Sequence, residues 1–302
     1  MSYLKWMGGK SKVVHLFQQY FPNINNAKGY IECFVGGGSV FFFVKEHYDL
    51  TGKPVYLSDI NGELVNCHRT VRDNVKDIIP LLKIHEKLNS EKGEEHYREV
   101  RNKYPPGRGM TNVEKAASFI YLCNTAFGGM WRVNSEGKNN ASYSGNIDWN
   151  MDYDELIYCS KLLKDTKIVH SGFENILKIN GGDLKGWYGY FDPPYDDVGN
   201  NPSVSKGYSK DAYHSSIRHM LPRVFKELDR KGCKVMMSNA NVSTIRENFK
   251  DYNINVINTD RKKGVGLDNI TKDIIEDAKK LTEVVVTNYK HIKRQQTMDD
   301  FV

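Results

Sequence analysis

The sequence predicts an α/β fold with a mostly parallel, twisted sheet and an inserted, mainly helical lobe. A strand pattern at residues 30–35 leads through three glycines into a helical pattern, and strand and helix patterns alternate again from Thr166 onward. Alternation of this kind is typical of parallel sheets covered by helices. Residues 62–150 have helical periodicity but no alternation of strand and helix patterns. We therefore predict a core domain from residues 1–61 and 151–290, a lobe from residues 62–150 and a tail from residues 291–302.

Composition and charge narrow the class of protein. The 302 residues carry a formal net charge of +6, which is compatible with a polyanionic partner but is common in other proteins too. The chain shows no secretory signal and no apolar run near the roughly 20 residues that span a bilayer, so we expect an intracellular protein without membrane contact. The cysteines stand singly with no C-x-x-C pair, which argues against a disulfide framework and a zinc site. They are Cys33, Cys67, Cys123, Cys159 and Cys233.

The amino-terminal third contains two candidate ligand-binding loops. Residues 4–12 place a Trp and a Gly-Gly turn among three lysines, for which a frayed basic terminus is the alternative. After a short helix at residues 13–20 and the strand at residues 30–35, Gly36-Gly37-Gly38-Ser39 precedes a helix from Val40. This order brings backbone amides and a helix N-terminus against a nucleotide-like ligand. The next strand ends in Asp59, where such folds place a carboxylate on ribose hydroxyls, and a helix cap is the alternative.

The lobe contains a candidate surface for reading nucleic acid. Residues 63–88 and 112–124 have helical periodicity, with a predicted surface loop at residues 104–109. Residues 127–140 resemble a hairpin with its turn near Glu136 and Gly137. Arg and Asn side chains grip guanine and adenine by paired bonds worth about 1 to 3 kcal/mol each, and an aromatic residue or Met can wedge between bases. A solvated turn is the alternative for such an amide-rich hairpin.

The strand pattern at residues 188–191 ends in Asp192-Pro193-Pro194-Tyr195, a rigid turn that suits an exocyclic amino group. The prolines supply no backbone donor, so the strand stops there. Asp192 and the Pro193 carbonyl can each accept one hydrogen of the amino group, while Tyr195 stacks on its ring. The nitrogen lone pair is then free to attack an electrophilic methyl group. A purely structural turn is the alternative.

Further patterns complete the predicted core. Residues 196–208 are predicted to form a lid over the site. A helix follows at residues 211–231, and residues 261–263 form a basic connection. The remaining predicted strands lie at residues 166–170, 234–239, 254–259 and 283–289.

Five motifs, in this order, resemble one family over nearly the whole chain. They are Leu4-Lys5-Trp6-Met7-Gly8-Gly9-Lys10, Glu32-Cys33-Phe34-Val35-Gly36-Gly37-Gly38-Ser39, Ser58-Asp59-Ile60-Asn61, Trp131-Arg132-Val133-Asn134 and Asp192-Pro193-Pro194-Tyr195. The chain resembles the Dam-type (D12 class, alpha group) adenine-N6 DNA methyltransferases. The resemblance implies a Rossmann-like methyltransferase core and a target-recognition lobe. It also implies methyl transfer from S-adenosyl-L-methionine to N6 of a flipped-out adenine in double-stranded DNA.

The resemblance implies roles for individual residues. For the cofactor these are Trp6, Lys10, Glu32, Phe34, Gly36, Gly37, Gly38, Ser39, Asp59, Ile60 and Asp192. For the adenine and its chemistry they are Asp192, Pro193, Pro194 and Tyr195. For DNA they are Lys5, Met130, Trp131, Arg132, Asn134 and Asn140, with Arg132 on a guanine. We expect no metal, because a sulfonium already makes the methyl group electrophilic.

Departures from the family pattern leave the recognition sequence open. Gly128 stands where the family usually has Asn, and residues 139–145 replace its Phe-Asn-Val-Pro-Phe-Gly. The DNA recognition sequence can therefore be GATC, which many members share, or a different one. Cys33 stands where the family often has Pro. The sequence also leaves open a cognate restriction endonuclease. Alternative functions are adenine-N6 methylation of RNA, cytosine-N4 methylation of DNA and a non-catalytic DNA-binding accessory subunit, with a nucleotide-dependent oxidoreductase the weakest.

The tail contains a candidate partner motif. Gln295, Met298 and Phe301 have a Gln-x-x-aliphatic-x-x-aromatic spacing that resembles the peptide by which replication proteins bind a sliding clamp. Val302 stands in place of the usual second aromatic residue. A disordered tail is the alternative.

Overall fold

The structure is a computed structural model that describes residues 1–104, 109–195, 211–257 and 282–290. Its strands are β1 Tyr30–Cys33, β2 Val55–Asp59, β3 Thr166–His170, β4 Tyr188–Phe191, β5 Lys234–Ala240, β6 Asn253–Ile257 and β7 Glu283–Thr287. Within the described ranges these seven strands form one sheet in the order β3-β2-β1-β4-β5-β7-β6. Strands β1 to β5 are parallel, and β7 is antiparallel to both β5 and β6. The predicted α/β fold with a mostly parallel sheet is confirmed.

The helices cover both faces of this sheet. They are α1 Val14–Phe17, α2 Ser39–His47, α3 Gly62–Lys92, α4 Glu94–Arg101, α5 Asn112–Thr125, α6 Tyr153–Leu162, α7 Asp211–Arg230 and α8 Ser243–Asn248. Short 3₁₀ segments lie at Gln18–Tyr20, Ile24–Asn26, Phe127–Gly129 and Phe173–Gly182. Helix α3 has a kink at Asn74, where φ is −134° and ψ is 32°. Helix α4 has no counterpart in the sequence prediction, because its buried residues, His96, Tyr97 and Val100, are too few for a clear apolar periodicity.

Side chains alternate between two hydrophobic clusters, one on each face of the sheet. Tyr188 and Tyr190 of β4 belong to the cluster that includes α2, α3 and α5. Phe191 belongs to the cluster that includes α7 and α8. Parallel strands buried on both faces need apolar residues on both sides, which explains the continuous apolar run before Asp192. The five cysteines are buried and free.

The segment between β2 and β3 packs against the core without a separate hydrophobic centre. Phe119 of α5 belongs to the same cluster as Leu57 of β2. The hairpin at residues 127–140 of this segment is irregular and contains an isolated bridge between Val133 and Asn139. The Gly137 amide closes its turn by donating to the Asn134 carbonyl at 3.0 Å. The predicted hairpin and its turn are confirmed, while the domain boundaries at residues 62 and 150 stay predictions.

Several predicted features lie outside the described residues. They are the loop residues 105–108, the lid at residues 196–208, the basic connection at residues 261–263 and the tail with Gln295, Met298 and Phe301. Among the helices that are described, none is long and apolar enough to cross a membrane. In the same ranges, no three or more His, Cys, Asp or Glu side chains are grouped as metal ligands.

Candidate active site

The register of the sheet brings three motifs to one edge. Cys33 of β1 pairs with Phe191 of β4, and Phe191 pairs with Met237 of β5. The residues that follow, Phe34, Asp192 and Ser238, therefore lie side by side, the first two just beyond the carboxyl ends of β1 and β4 and Ser238 within β5. The strand order reverses between β1 and β4, and ligands of open α/β sheets bind at such a point.

Asp192 is the centre of a polar network at this edge. The Lys10 ammonium lies 2.6 and 2.7 Å from its two carboxylate oxygens, and the Ser238 hydroxyl donates to Oδ1 at 2.9 Å. The Lys10 side chain is 3% exposed and the Asp192 side chain 20%. The amino-terminal lysine motif is therefore not a frayed terminus, because it folds back onto the loop after β4.

Tyr195 lies over the same ion pair. Its ring centroid is 4.7 Å from the Lys10 ammonium, and its hydroxyl donates to Oε2 of Glu283 at 2.8 Å. Burial, with added repulsion from the carboxylates of Asp192 and Glu283, raises the pKa of Tyr195 well above its usual value. Tyr195 is thus a neutral donor whose ring is fixed from β7. Pro193 is buried and Pro194 half-buried in the same loop.

The glycine turn is shaped to receive Trp6. Gly36 and Gly38 have φ values of 49° and 77°, and Phe34 has φ of 65°, a conformation that costs a residue other than glycine about 1 to 3 kcal/mol. A Cβ on Gly36 would lie 3.0 Å from Cδ1 of Trp6. A Cβ on Gly37 would lie 3.0 Å from the Cβ of Trp6. A side chain at either glycine would therefore crowd the Trp6 side chain that packs there. Ser39, at the start of α2, is buried.

The carboxylate of Asp59 supports the turn from β2. Its Oδ2 accepts from the Gly36 amide at 3.1 Å and its Oδ1 from the Asn61 amide at 2.9 Å. Burial raises the pKa of Asp59, while these backbone donors oppose the shift. Asn61, rather than Asp59, caps helix α3 through bonds to the Glu63 and Leu64 amides. Ile60 beside it is 48% exposed.

Glu32 is a buried carboxyl group on β1. It is 2% exposed, and the Tyr30 hydroxyl donates to its Oε2 at 2.6 Å. Burial raises the pKa of Glu32 to about 8, with the Tyr30 bond opposing and the Asp192 charge adding to the shift. At neutral pH this side chain is mostly protonated.

His68 supports the turn from α3, a role that no sequence pattern indicated. Its Nε2 lies 2.8 Å from the Gly36 carbonyl, which can only accept, so Nε2 carries the proton. Its Nδ1 therefore accepts from the Tyr3 hydroxyl at 2.6 Å. Burial lowers the pKa of His68 to about 4, and the bond to Gly36 opposes this. A neutral His68 thus links the amino-terminal segment to the glycine turn.

The predicted DNA-reading residues divide into exposed and supporting positions. Arg132 donates through Nε to Oδ1 of Asn140 at 2.7 Å and through Nη2 to the Asn140 carbonyl at 3.0 Å. The Asn134 side chain accepts from the Glu136 and Lys138 amides and so holds the hairpin turn. Both asparagines are therefore engaged within the hairpin.

Other residues predicted to contact DNA lie around this hairpin. Trp131 is only 7% exposed and packs against Phe119 and Tyr104. Met130 is half-buried and Lys5 is exposed. A Cβ on Gly129 would lie 2.7 Å from the Lys5 carbonyl, so a glycine is needed for Lys5 to approach the hairpin.

Phe127 is an exposed aromatic residue that the sequence reasoning did not single out. It is 52% exposed at the start of the 3₁₀ turn before the hairpin. The Met7 amide donates to the Gly129 carbonyl at 3.2 Å, which joins this turn to the amino-terminal segment. The composition of residues 127–140 indicated an aromatic residue that could wedge between bases, but not which of them would be exposed.

Comparison with known proteins adds independent information. A family model described as D12 class N6 adenine-specific DNA methyltransferase matches residues 6–263. The chain is 33% identical to the Type II methyltransferase M1.LlaDCHI of Lactococcus lactis subsp. cremoris, covering 95% of each chain. It is also 33% identical to the Type II methyltransferase M.MjaIII of Methanocaldococcus jannaschii, over 83% of this chain and 89% of that one. With the Type II methyltransferase M.CviBI of a Paramecium bursaria Chlorella virus it shares 29% identity over 95% of this chain and 98% of the other. The chain therefore belongs to the D12 class of N6 adenine-specific DNA methyltransferases.

Proposed function

We propose that this DNA methyltransferase binds S-adenosyl-L-methionine beside the glycine turn and methylates N6 of an adenine turned out of a DNA duplex. The observation that supports this is the convergence of Lys10, Ser238 and Tyr195 around Asp192 at the sheet edge between β1 and β4. An enzyme that acts on one base of a duplex must extrude that base to reach its reacting atom.

The charges around the glycine turn fit this cofactor, which carries a sulfonium, an ammonium and a carboxylate group. The carboxylates of Asp59 and Asp192 complement its cations, and Lys10 complements its anion. Glu32 is protonated without a ligand and would add a third negative charge if a cation beside it favours its ionised form. The half-buried Trp6 and the exposed Ile60 offer apolar surface for its adenine ring. When bound, the cofactor supplies a methyl group that the positive sulfur makes electrophilic.

The loop after β4 prepares the amino group for the reaction. Asp192 and the Pro193 carbonyl accept the two hydrogens of adenine N6, which draws the nitrogen lone pair out of conjugation with the ring. Tyr195, held by Glu283, offers its ring to the base. Asp192 Oδ2 is the acceptor for the proton that N6 loses as the new C–N bond forms.

Lys10 and the adenine amino group require the same position. The Lys10 ammonium bonds both Asp192 oxygens and lies 4.7 Å from the Tyr195 ring centroid, where a stacked base would present its amine. The base enters only when Lys10 withdraws, and the cofactor carboxylate is an alternative partner for this ammonium. We therefore expect the cofactor to bind first.

The role of Asp192 is tested with the isosteric variant Asp192→Asn, which keeps the shape and removes the charge. We expect loss of radiolabelled methyl transfer to duplex DNA with the native circular-dichroism spectrum retained, although the melting temperature should fall because the buried Lys10 ammonium loses its charged partner. Asp154→Asn, at an exposed carboxylate on α6, is the control and should keep full activity. Near-wild-type turnover of Asp192→Asn would refute the assigned role.

For sequence reading, the proposed contacts are Arg132 on a guanine and Phe127 as an apolar wedge between base pairs. Asn140 binds the Nε side of the Arg132 guanidinium, so it leaves Nη1 and one Nη2 hydrogen for the two acceptors of guanine. Asn140 therefore acts through Arg132 by fixing its orientation.

Sequencing of methylated bases separates these roles. Arg132→Ala should relax or abolish sequence preference while cofactor binding is kept, and Asn140→Ala should shift the preference in the same direction by less. The control Lys138→Ala removes an exposed charge from the same hairpin and should leave the pattern unchanged. An unchanged methylation pattern for Arg132→Ala would exclude it as a base reader.

A further inference from the structure

Two buried hydroxyl groups form a chain that ends on Asp192. The Tyr190 hydroxyl of β4 lies 2.8 Å from the Ser238 hydroxyl of β5, and the Ser238 hydroxyl lies 2.9 Å from Asp192 Oδ1. Both side chains are fully buried, at 0% exposure. The chain therefore reaches Asp192 through the buried interior of the sheet.

The direction of each hydrogen bond follows from the chemistry of the last acceptor. A carboxylate only accepts, so the single hydroxyl hydrogen of Ser238 points to Asp192. Ser238 then has only lone pairs left for Tyr190, so the Tyr190 hydroxyl donates to Ser238. Burial and the nearby Asp192 charge raise the pKa of Tyr190 well above its usual value, which keeps this donor proton in place.

We propose that Tyr190 and Ser238 are positioning residues that fix the Asp192 carboxylate in the rotation at which it accepts a hydrogen from adenine N6. This inference rests on the proposed role of Asp192. Asp192 lies just beyond the strand, so the ladder that ends at Phe191 does not fix its side-chain torsions. Ser238 anchors Oδ1 from a paired strand and leaves Oδ2 to face the substrate.

Lys10 cannot provide this anchor during the reaction. Its ammonium occupies the place that the adenine amine requires, and it is carried by a long side chain on an amino-terminal loop. The bond from Ser238 is made by a buried hydroxyl on a paired strand and occupies only Oδ1, so it leaves Oδ2 for the base. It is therefore the contact that remains when the base is bound.

A neighbouring pair provides an internal comparison. Tyr188 lies on the same strand and in the same cluster as Tyr190, with the same 0% exposure. Its hydroxyl points to Met236 on β5, 3.5 Å from the sulfur, two residues before Ser238. The two tyrosines thus make equivalent contacts between β4 and β5, but only the contact of Tyr190 continues to the active site. Tyr188→Phe is therefore a matched control for Tyr190→Phe.

The test measures single-turnover methyl transfer to duplex DNA, the KM for DNA and the Kd for the cofactor. We expect Ser238→Ala to lower the methyl-transfer rate constant by roughly 10- to 100-fold, the range for a lost hydrogen bond to a charged group. We expect Tyr190→Phe to lower the rate constant by about 3- to 10-fold, since Tyr190 acts on Asp192 only indirectly, through Ser238. KM and Kd should change by less than about threefold, because the bond acts on the reacting carboxylate rather than on binding. Ser238→Thr, which keeps the hydroxyl, should restore the rate constant, and Tyr188→Phe should leave it unchanged.

A double-mutant cycle separates a connected chain from two independent structural effects. In the Ser238→Ala background, Tyr190→Phe should cause no further loss, because the link to Asp192 is already broken. Losses that multiply would overturn the proposal, as would equal losses for Tyr190→Phe and Tyr188→Phe. If Ser238→Ala does not fold, Tyr190→Phe, which deletes one oxygen, decides the question alone.

Asp192→Asn distinguishes failure of this inference from failure of the proposed function. Wild-type rates for Ser238→Ala and Tyr190→Phe, with no activity for Asp192→Asn, would overturn the positioning role and leave the role of Asp192 standing. Wild-type rates for Asp192→Asn would remove the basis of both.

Discussion

Replacing Glu32 by Gln should remove one specific contribution to the pH dependence of folding. Glu32 is 2% exposed, and burial raises its pKa from an ordinary 4.5 to about 8. At neutral pH the native protein therefore carries a protonated Glu32, whereas the unfolded chain carries an ionised one. Folding takes up a proton at this position.

The sign and size of the effect follow from the two pKa values. A carboxyl group with a raised native pKa stabilises the fold fully below pH 4.5, and this stabilisation is lost as pH rises through 8. At about 1.4 kcal/mol for each pH unit, the loss is on the order of 5 kcal/mol. Glutamine has the same shape, cannot ionise and still accepts from Tyr30, so the Glu32→Gln variant does not suffer this loss.

Urea unfolding of the cofactor-free protein from pH 5 to pH 8.5 provides the assay. We expect the free energy of unfolding of Glu32→Gln to rise relative to wild type by several kcal/mol across this range, up to the roughly 5 kcal/mol derived above. The control Glu95→Gln replaces an exposed glutamate on α4 and should differ from wild type by less than about 0.5 kcal/mol at every pH. A difference between Glu32→Gln and wild type that stays constant with pH would show that Glu32 is ionised in the native state. The cofactor pocket would then carry one more negative charge than we infer.

Three further predictions concern the same pocket. If the cationic cofactor binds beside Glu32, binding at pH 7 should release up to about one proton, measured by calorimetry in two buffers, and Glu32→Gln should release none. For His68→Gln, the stability advantage of wild type should be full above pH 6.5 and should fall by about 3 kcal/mol as pH drops toward 4, and a pH-independent difference would contradict the lowered pKa of His68. Gly38→Ala should lower the melting temperature at a cost of roughly 2 to 4 kcal/mol, since φ is 77° and the new Cβ would lie 2.8 Å from the Phe42 ring. Gly52→Ala, with φ of 69° but no atom within 4 Å of its Cβ, isolates the backbone part and should cost less.

The features that the sequence predicted correctly are local ones. The strand before Gly36, the turn at Glu136 and Gly137, and the end of β4 at Asp192 each depend on a few consecutive residues. Their signals are glycine, proline and a change of hydrophobic period, so no knowledge of distant contacts is needed.

The supporting residues could not be predicted because their roles depend on strand register and helix packing. Ser238 lies within an apolar strand, and only the pairing of Phe191 with Met237 brings it next to Asp192. Glu283 begins a strand 88 residues beyond Tyr195, to which it bonds. His68 has the pattern of an ordinary residue in an amphipathic helix. The irregular hairpin likewise hid the burial of Trp131, because its residues do not alternate as in a regular strand.

Glu32 and His68 have opposite effects on the pH dependence of the apo protein. Between pH 4.5 and 6.5 the stabilisation from Glu32 falls while that from His68 rises, each by about 1.4 kcal/mol for each pH unit, so their sum is nearly level. Above pH 6.5 the contribution of His68 is complete, and only the loss from Glu32 continues, toward pH 8. A bound cation beside Glu32 would favour its ionised form and remove that loss. Of these two groups, Glu32 alone therefore lowers the stability of the apo protein at the upper end of the neutral range, where the proposed cofactor should stabilise it most.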